Sequence, residues 1–159
     1  MKPLAKRALI GCGGIAAVAI TSVVLIGIWL FKGPESGVKL GNEMDQYALD
    51  YIAAHGLLRP GEQLLAYYDV TIAMDGTEAA IVTSDHVIYH KQGKTSAIRF
   101  EDIEDVRHRY ETLQGDILEV QARSGQVMKI EIAPLNQGET FRNVLMSTWK
   151  RHTKEPTGG

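Results

Sequence analysis

The sequence predicts a mainly β fold with flanking helices (α+β): a seven-stranded antiparallel barrel or sandwich capped by a C-terminal helix, behind one N-terminal transmembrane helix. Three observations carry this expectation. Residues 8–31 run for 24 residues without a charge. Between Glu62 and Ala133 the apolar residues recur with a period of two, cut by short turn sequences. Beyond Asn136 the period lengthens to that of an amphipathic helix.

The first element is the apolar run. As a helix rising ~1.5 Å per residue it extends roughly 36 Å, enough to cross a ~30 Å hydrocarbon layer with some tilt. Trp29 sits near one end, where an amphipathic ring suits the headgroups, and Lys32 closes the run. Leu9-Ile10-Gly11-Cys12 also reads as a lipobox, in which Cys12 would be lipidated. Position argues against that alternative. Only Ala8 to Gly11 separate Arg7 from Cys12, whereas a signal needs ~7–15 apolar residues before its cleavage site. S-acylation of Cys12 is a further alternative. Gly13, Ala17 and Thr21 form a small-residue stripe of the kind through which helices pack in lipid, a candidate route to self-association, although Gly and Ala are common in spans anyway. Lys2, Lys6 and Arg7 precede the run, and Lys32 and Lys39 follow it. Positive-inside counting therefore favours an N-terminus inside and a domain outside the cytoplasm.

Residues 32–41 read as a linker through Gly33-Pro34-Glu35-Ser36-Gly37. A helix is expected over 42–56, with Asn42 as cap, an apolar stripe at Met44, Tyr47, Ala48, Tyr51 and Ile52, and Gly56 as stop. Seven strands follow at about 62–73, 78–83, 86–92, 95–100, 104–112, 116–123 and 126–133. The last two alternate cleanly, Leu118, Val120 and Ala122 against Ile117, Glu119 and Gln121, then Met128, Ile130 and Ile132 against Val127, Lys129 and Glu131. That pattern suits antiparallel sheets with one wet face. The closing helix spans about 137–152, with Asn136 and Glu139 as a capping box and Phe141, Leu145 and Trp149 as its apolar stripe. The domain is thus expected over 57–152, between a basic flank at 1–7 and a tail at 153–159.

Three stretches resemble the bacterial pleckstrin-homology-like domains, a group close to the YokE-like and GRAM families. Residues 57–70 (LLRPGEQLLAYYDV) resemble the entry into their first strand. Residues 79–90 (AAIVTSDHVIYH) resemble a strand, a Thr-containing turn and a second strand, and residues 96–106 (SAIRFEDIEDV) a strand running into an acidic turn. With the final helix the resemblance covers roughly 57–150. It implies a PH-like domain; together with the apolar run at 8–31 the expected place is the bacterial inner membrane. Two departures matter: His86 stands where the family usually has Arg, and the first hairpin loop, Met74 to Glu78, carries Asp75 and Glu78 and no base. Phosphoinositide binding at that loop gains no support.

Charge narrows the partners. Residues 33–159 hold thirteen Lys and Arg against nineteen Asp and Glu, about −6, which is ill suited to nucleic acid. One cysteine excludes an internal disulfide framework. His86 and His90 lie ~13 Å apart along a strand, too far to share a metal ion, and are expected exposed or partly buried. Glu101, Asp102, Glu104 and Asp105 around Ile103 read as a solvated turn with a buried Ile. No nucleophile-base set, phosphate loop or dinucleotide fingerprint is present in the sequence, so no cofactor and no metal are expected and the protein is expected not to be an enzyme. A candidate anionic-ligand patch is formed by Lys91, Lys94, Arg99, Arg107 and Arg109; the competing reading is ordinary charge on a wet sheet. The expected function is a membrane-anchored binding or scaffolding module for a protein or peptide partner, or for itself. Sensing of an anionic lipid headgroup through that patch is the alternative.

Overall fold

The computed structural model describes residues 37–71 and 73–154. The apolar run at 8–31, its Gly13, Ala17 and Thr21 stripe and Cys12 lie outside the described residues. Among the described residues, no helix is long and apolar enough to cross a membrane.

The described residues form eight strands and two helices in the order β1 (Lys39–Leu40), α1 (Gln46–Ala54), β2 (Leu64–Asp69), β3 (Glu78–Thr83), β4 (His86–Lys91), β5 (Lys94–Arg99), β6 (Ile103–Glu111), β7 (Gly115–Ala122), β8 (Val127–Ile132) and α2 (Gly138–Lys154), with one 3-10 turn at Phe100–Asp102. They form two antiparallel sheets, β1-β2-β3-β4-β5 and β6-β7-β8. The seven expected strands are β2 to β8. The first ends at Asp69 rather than 73, because Asp69 turns the chain.

The buried Asp69 carboxylate accepts the Thr71 N–H (2.8 Å), the Gly76 N–H (2.8 Å) and the Thr71 hydroxyl (2.5 Å). The Tyr47 and Tyr67 hydroxyls also donate to it, at 3.3 and 3.4 Å. One carboxylate thus ties the β2–β3 loop to α1. Burial first, and then the Asp69 charge, push both tyrosine hydroxyls above the usual tyrosine range.

The main core lies between the sheets. Ala66, Tyr68, Ala80, Val82, Val87 and Ile98 face Leu118, Val120, Met128, Ile130 and Ile132 across it, and Phe141 and Leu145 of α2 fill one opening. Trp149 is only partly buried; the next fully buried position on that helix after Leu145 is Thr148. The five-stranded sheet is covered on its outer face as well. Ala48 and Ile52 of α1 and Leu57 pack on Tyr67, Ala79, Ile81 and Ile88. This explains why β3 reads Ala79-Ala80-Ile81-Val82, apolar at both parities: each parity meets a different core. The sheet β6-β7-β8 keeps the wet outer face that its alternation predicts, except at Ile117, which is buried.

Three local expectations are corrected. Asp45, not Asn42, precedes α1, and no side chain caps that helix. The helix does end as expected, because Leu57 N–H bonds Ile52 O and Gly56 N–H bonds Ala53 O, the paired bonds of a Schellman motif. Asn136 does not cap α2. Its amide donates to the Tyr68 hydroxyl (3.3 Å) and its carbonyl accepts the Val38 N–H (3.1 Å), so it fastens the chain entering at Gly37 to both sheets. Finally, part of the expected linker is structure. Val38 is in the main core, and Lys39 and Leu40 pair with Tyr67 and Ala66 of β2.

Candidate functional site at the seam between the sheets

β5 is the last strand of one sheet and β6 the first of the other, so β5 hydrogen-bonds only to β4. Alternate residues of such an edge strand turn their N–H and C=O groups away from the sheet. A cavity of about 550 Å³ opens beside that edge. Ala97 and Ile98 of β5 and Ala122 of β7 supply its apolar surface, and Arg59, Arg99 and Arg123 its positive charge, against one aspartate, Asp102. Gln126 and Ser124 complete the wall, and Gln126 Nε2 donates to Ser96 Oγ at 2.9 Å, bridging the two sheets.

Each arginine is placed differently. Arg99 pairs with Glu101 (2.5 Å) and Asp102 (2.8 Å). Arg123 donates from its side chain to the Glu101 carbonyl (2.9 Å), and its backbone N–H bonds the Asp102 carbonyl (2.9 Å), which pins the β7–β8 turn to the 3-10 turn. Arg59 follows the α1 stop, and its backbone N–H bonds Glu62 Oε2 at 2.7 Å.

His86 stands in the wall of this cavity and of two adjoining grooves. Its Nδ1 lies 2.5 Å from Glu62 Oε1, and a carboxylate there requires the proton on Nδ1. The other ring nitrogen, Nε2, faces away from Glu62. That atom is buried and has no hydrogen-bond partner among the described residues. Burial alone would push the Glu62 carboxyl up, but the Arg59 N–H, the His86 ring and the Thr83 hydroxyl together hold it below the usual carboxylate range.

The expectation of exposed or partly buried histidines is corrected at both positions. His86 is 4 % and His90 1 % exposed, because α1 and the segment after it cover the outer face of β4. His90 Nε2 lies 3.0 Å from the Tyr51 hydroxyl and Nδ1 2.9 Å from Thr95 Oγ1. Among the described residues, no three His, Cys, Asp or Glu side chains are grouped to hold a metal ion.

The five cations of the candidate patch fall on two sheets. Lys91 pairs with Glu78 (3.0 Å) and Arg99 with Glu101 and Asp102, while Lys94, at the β4–β5 turn, has no ion-pair partner among the described residues. Arg107 pairs with Asp105 (2.9 Å), and Arg109 with Glu111 (2.9 Å) and Glu119 (2.7 Å), on the outer face of β6. Four of the five are therefore already faced by carboxylates. Ile103 is buried, as expected, with Glu101, Asp102 and Asp105 spent on these pairs. Arg59, Arg123 and Gln126 escaped the sequence reading, since no motif joins three positions so far apart in the chain.

No protein-family model matches the chain, and no curated protein matches it in sequence. Among solved structures, the chain is similar to the crystal structure of a DUF1696 family protein with a pleckstrin-homology domain from Shewanella loihica. The similarity covers 72 % of this chain and 99 % of that one, with 12 % identity and a TM-score of 0.51. Two antiparallel sheets closed by a C-terminal helix, superposing on that neighbour, make this a pleckstrin-homology-like fold.

Proposed function

We propose that the protein is a non-catalytic binding module, held at a bilayer surface by residues 8–31, that captures an extended protein segment along the open edge of β5. The edge and its cavity carry this reading. Unpaired backbone groups on β5 suit strand addition, Arg59 and Arg123 beside the already paired Arg99 suit an acidic segment, and the buried, unpartnered His86 Nε2 offers a polar contact to an incoming backbone. The membrane tether raises the local concentration of any partner in the same membrane. The PH-like fold is compatible with this role but does not choose the ligand, and kinship with the YokE-like and GRAM group rests on the three sequence stretches alone.

A photo-crosslinking residue at Ala97 in the full-length chain tests the proposal. The expected result is an adduct with one protein segment, lost in Arg59→Glu/Arg123→Glu. Retention of the adduct in that variant removes the seam as the site. The lipid-headgroup alternative makes the opposite prediction. In nanodiscs of anionic lipid, Lys91 and Lys94 of the full chain would be shielded from amine labelling, and salt would reverse the shielding.

A further inference from the structure

Leu113, in the β6–β7 turn, is 92 % exposed and Leu135, in the β8–α2 loop, is 100 % exposed, with Tyr110 at 58 % beside them on β6. These side chains belong to one end of the domain. Gly115, two residues beyond Leu113, lies so close to Ala133 and Pro134 that a Cβ there would sit 2.7 Å from the Pro134 nitrogen. Asn136, the neighbour of Leu135, accepts the Val38 N–H. Both leucines therefore flank the point where the chain enters the domain at Gly37.

Leu135 is held at φ 70°, in the left-handed region that a branched apolar residue rarely adopts. A strained backbone that holds a large apolar side chain wholly in water gains nothing inside the domain. Three acids close to the leucines in the chain have partners: Glu111 pairs with Arg109 (2.9 Å), Glu139 pairs with Arg142 (3.4 Å), and Asp116 Oδ1 lies 2.7 Å from His108 Nε2. These three carboxylates are thus not left bare towards a lipid headgroup layer.

We propose that this rim, with Leu113, Leu135 and Tyr110 at its tip, rests on the lipid surface and inserts the two leucines at the headgroup boundary. The inference rests on the anchoring of residues 8–31 proposed above. Residues 32–36 are all that separate Phe31 from Gly37, a reach of at most about 20 Å when fully extended. Of the described residues Gly37 is the nearest in the chain to that run, and the two leucines flank it, whereas the far end of β7 is remote from it. Ser124 lies at that far end, roughly 26 Å away along eight strand residues. Exposed apolar tips beside a membrane tether insert at low cost, because the tether has already removed the entropy of arrival.

The test uses the full chain with Cys12→Ser, carrying an environment-sensitive fluorophore at Leu113→Cys, Leu135→Cys or Ser124→Cys, in phosphatidylcholine vesicles. The expected result is a blue-shifted emission at 113 and 135, quenched by spin-labelled lipid, with neither effect at 124. Emission at 113 and 135 as water-like as at 124 overturns the proposal, provided the labelled chains float with the vesicles. Chains that fail to float overturn the anchoring itself, and this inference with it. A Leu113→Asp/Leu135→Asp variant that unfolds like the wild type, yet leaves a fluorophore at Tyr110→Cys as strongly quenched as before, also overturns it.

Discussion

Replacing Asp69 by alanine removes the acceptor that organises the β2–β3 loop, and its cost follows from which donors are left stranded. The Gly76 N–H and the Tyr67 hydroxyl are buried, so water cannot replace the carboxylate for them. An orphaned buried donor costs about 1–3 kcal/mol, and a hydrogen bond to a charged group is worth about 1.5–3 kcal/mol. Thr71 is partly exposed and recovers some of its loss from solvent. The expected destabilisation is therefore about 4 kcal/mol, a large share of the ~5–15 kcal/mol that holds a domain folded. In thermal unfolding this corresponds to a fall in Tm of roughly 10–20 °C. Urea unfolding at neutral pH, followed by Trp149 fluorescence and by circular dichroism, gives the number directly. Asp69→Asn keeps one carbonyl oxygen and should lose about half as much. An Asp69→Ala midpoint within about 1 kcal/mol of the wild type would show that the loop is held by other contacts and refute the reasoning.

Two further outcomes are expected. Burial first, and the nearby His55 second, hold the His90 ring below its ordinary pKa of 6.5, so on acidification the unfolded chain takes up that proton before the folded one does. Stability contributed by the neutral ring is then present above about pH 6.5 and falls as the pH drops below it, and His90→Gln should weaken this acid sensitivity in urea midpoints compared at about pH 7.5 and about pH 5.5. An unchanged pH slope in His90→Gln would count against it. Gly115 has φ 84° and lies against the Ile132 carbonyl and Pro134, whereas Gly93 has φ 77° and open space around its Cα. Gly115→Ala should therefore cost more than about 2 kcal/mol and Gly93→Ala about 1 kcal/mol, measured in the same urea assay.

Much of the fold was legible because turn chemistry marks the breaks from β3 to β8 and binary pattern agrees with it in β7 and β8. Gln92 and Gly93, both at positive φ, make the two-residue turn between β4 and β5, and the alternation in β7 and β8 assigns their inner faces residue by residue. β1 was not legible. Two residues carry no period, and Lys39 and Leu40 become a strand only because β2 offers them an edge. The cover over β4 was also hidden: the stripe on α1 was visible, but nothing in it says which sheet face it meets. That missing partner is why His86 and His90 were expected near water. At the seam, Arg99 drew notice as a member of the candidate anionic-ligand patch and Asp102 as a charge in an acidic turn. The cavity they line exists only once Arg59 and Arg123, separated by more than sixty residues, converge on it.

The helix α1 has nine residues and no side-chain cap. In isolation a helix shorter than about 12–15 residues is marginal in water. Its order is therefore borrowed from the sheet face beneath it, through Ala48, Ile52 and Leu57. This makes α1 a lid whose lifting need not melt the barrel: the core between the sheets keeps its own packing, while Ile81, Ile88 and the imidazole of His90 come to the surface together. Two levels of unfolding are therefore expected, a shallow one that uncovers a second sticky face and a deep one that dissolves the fold.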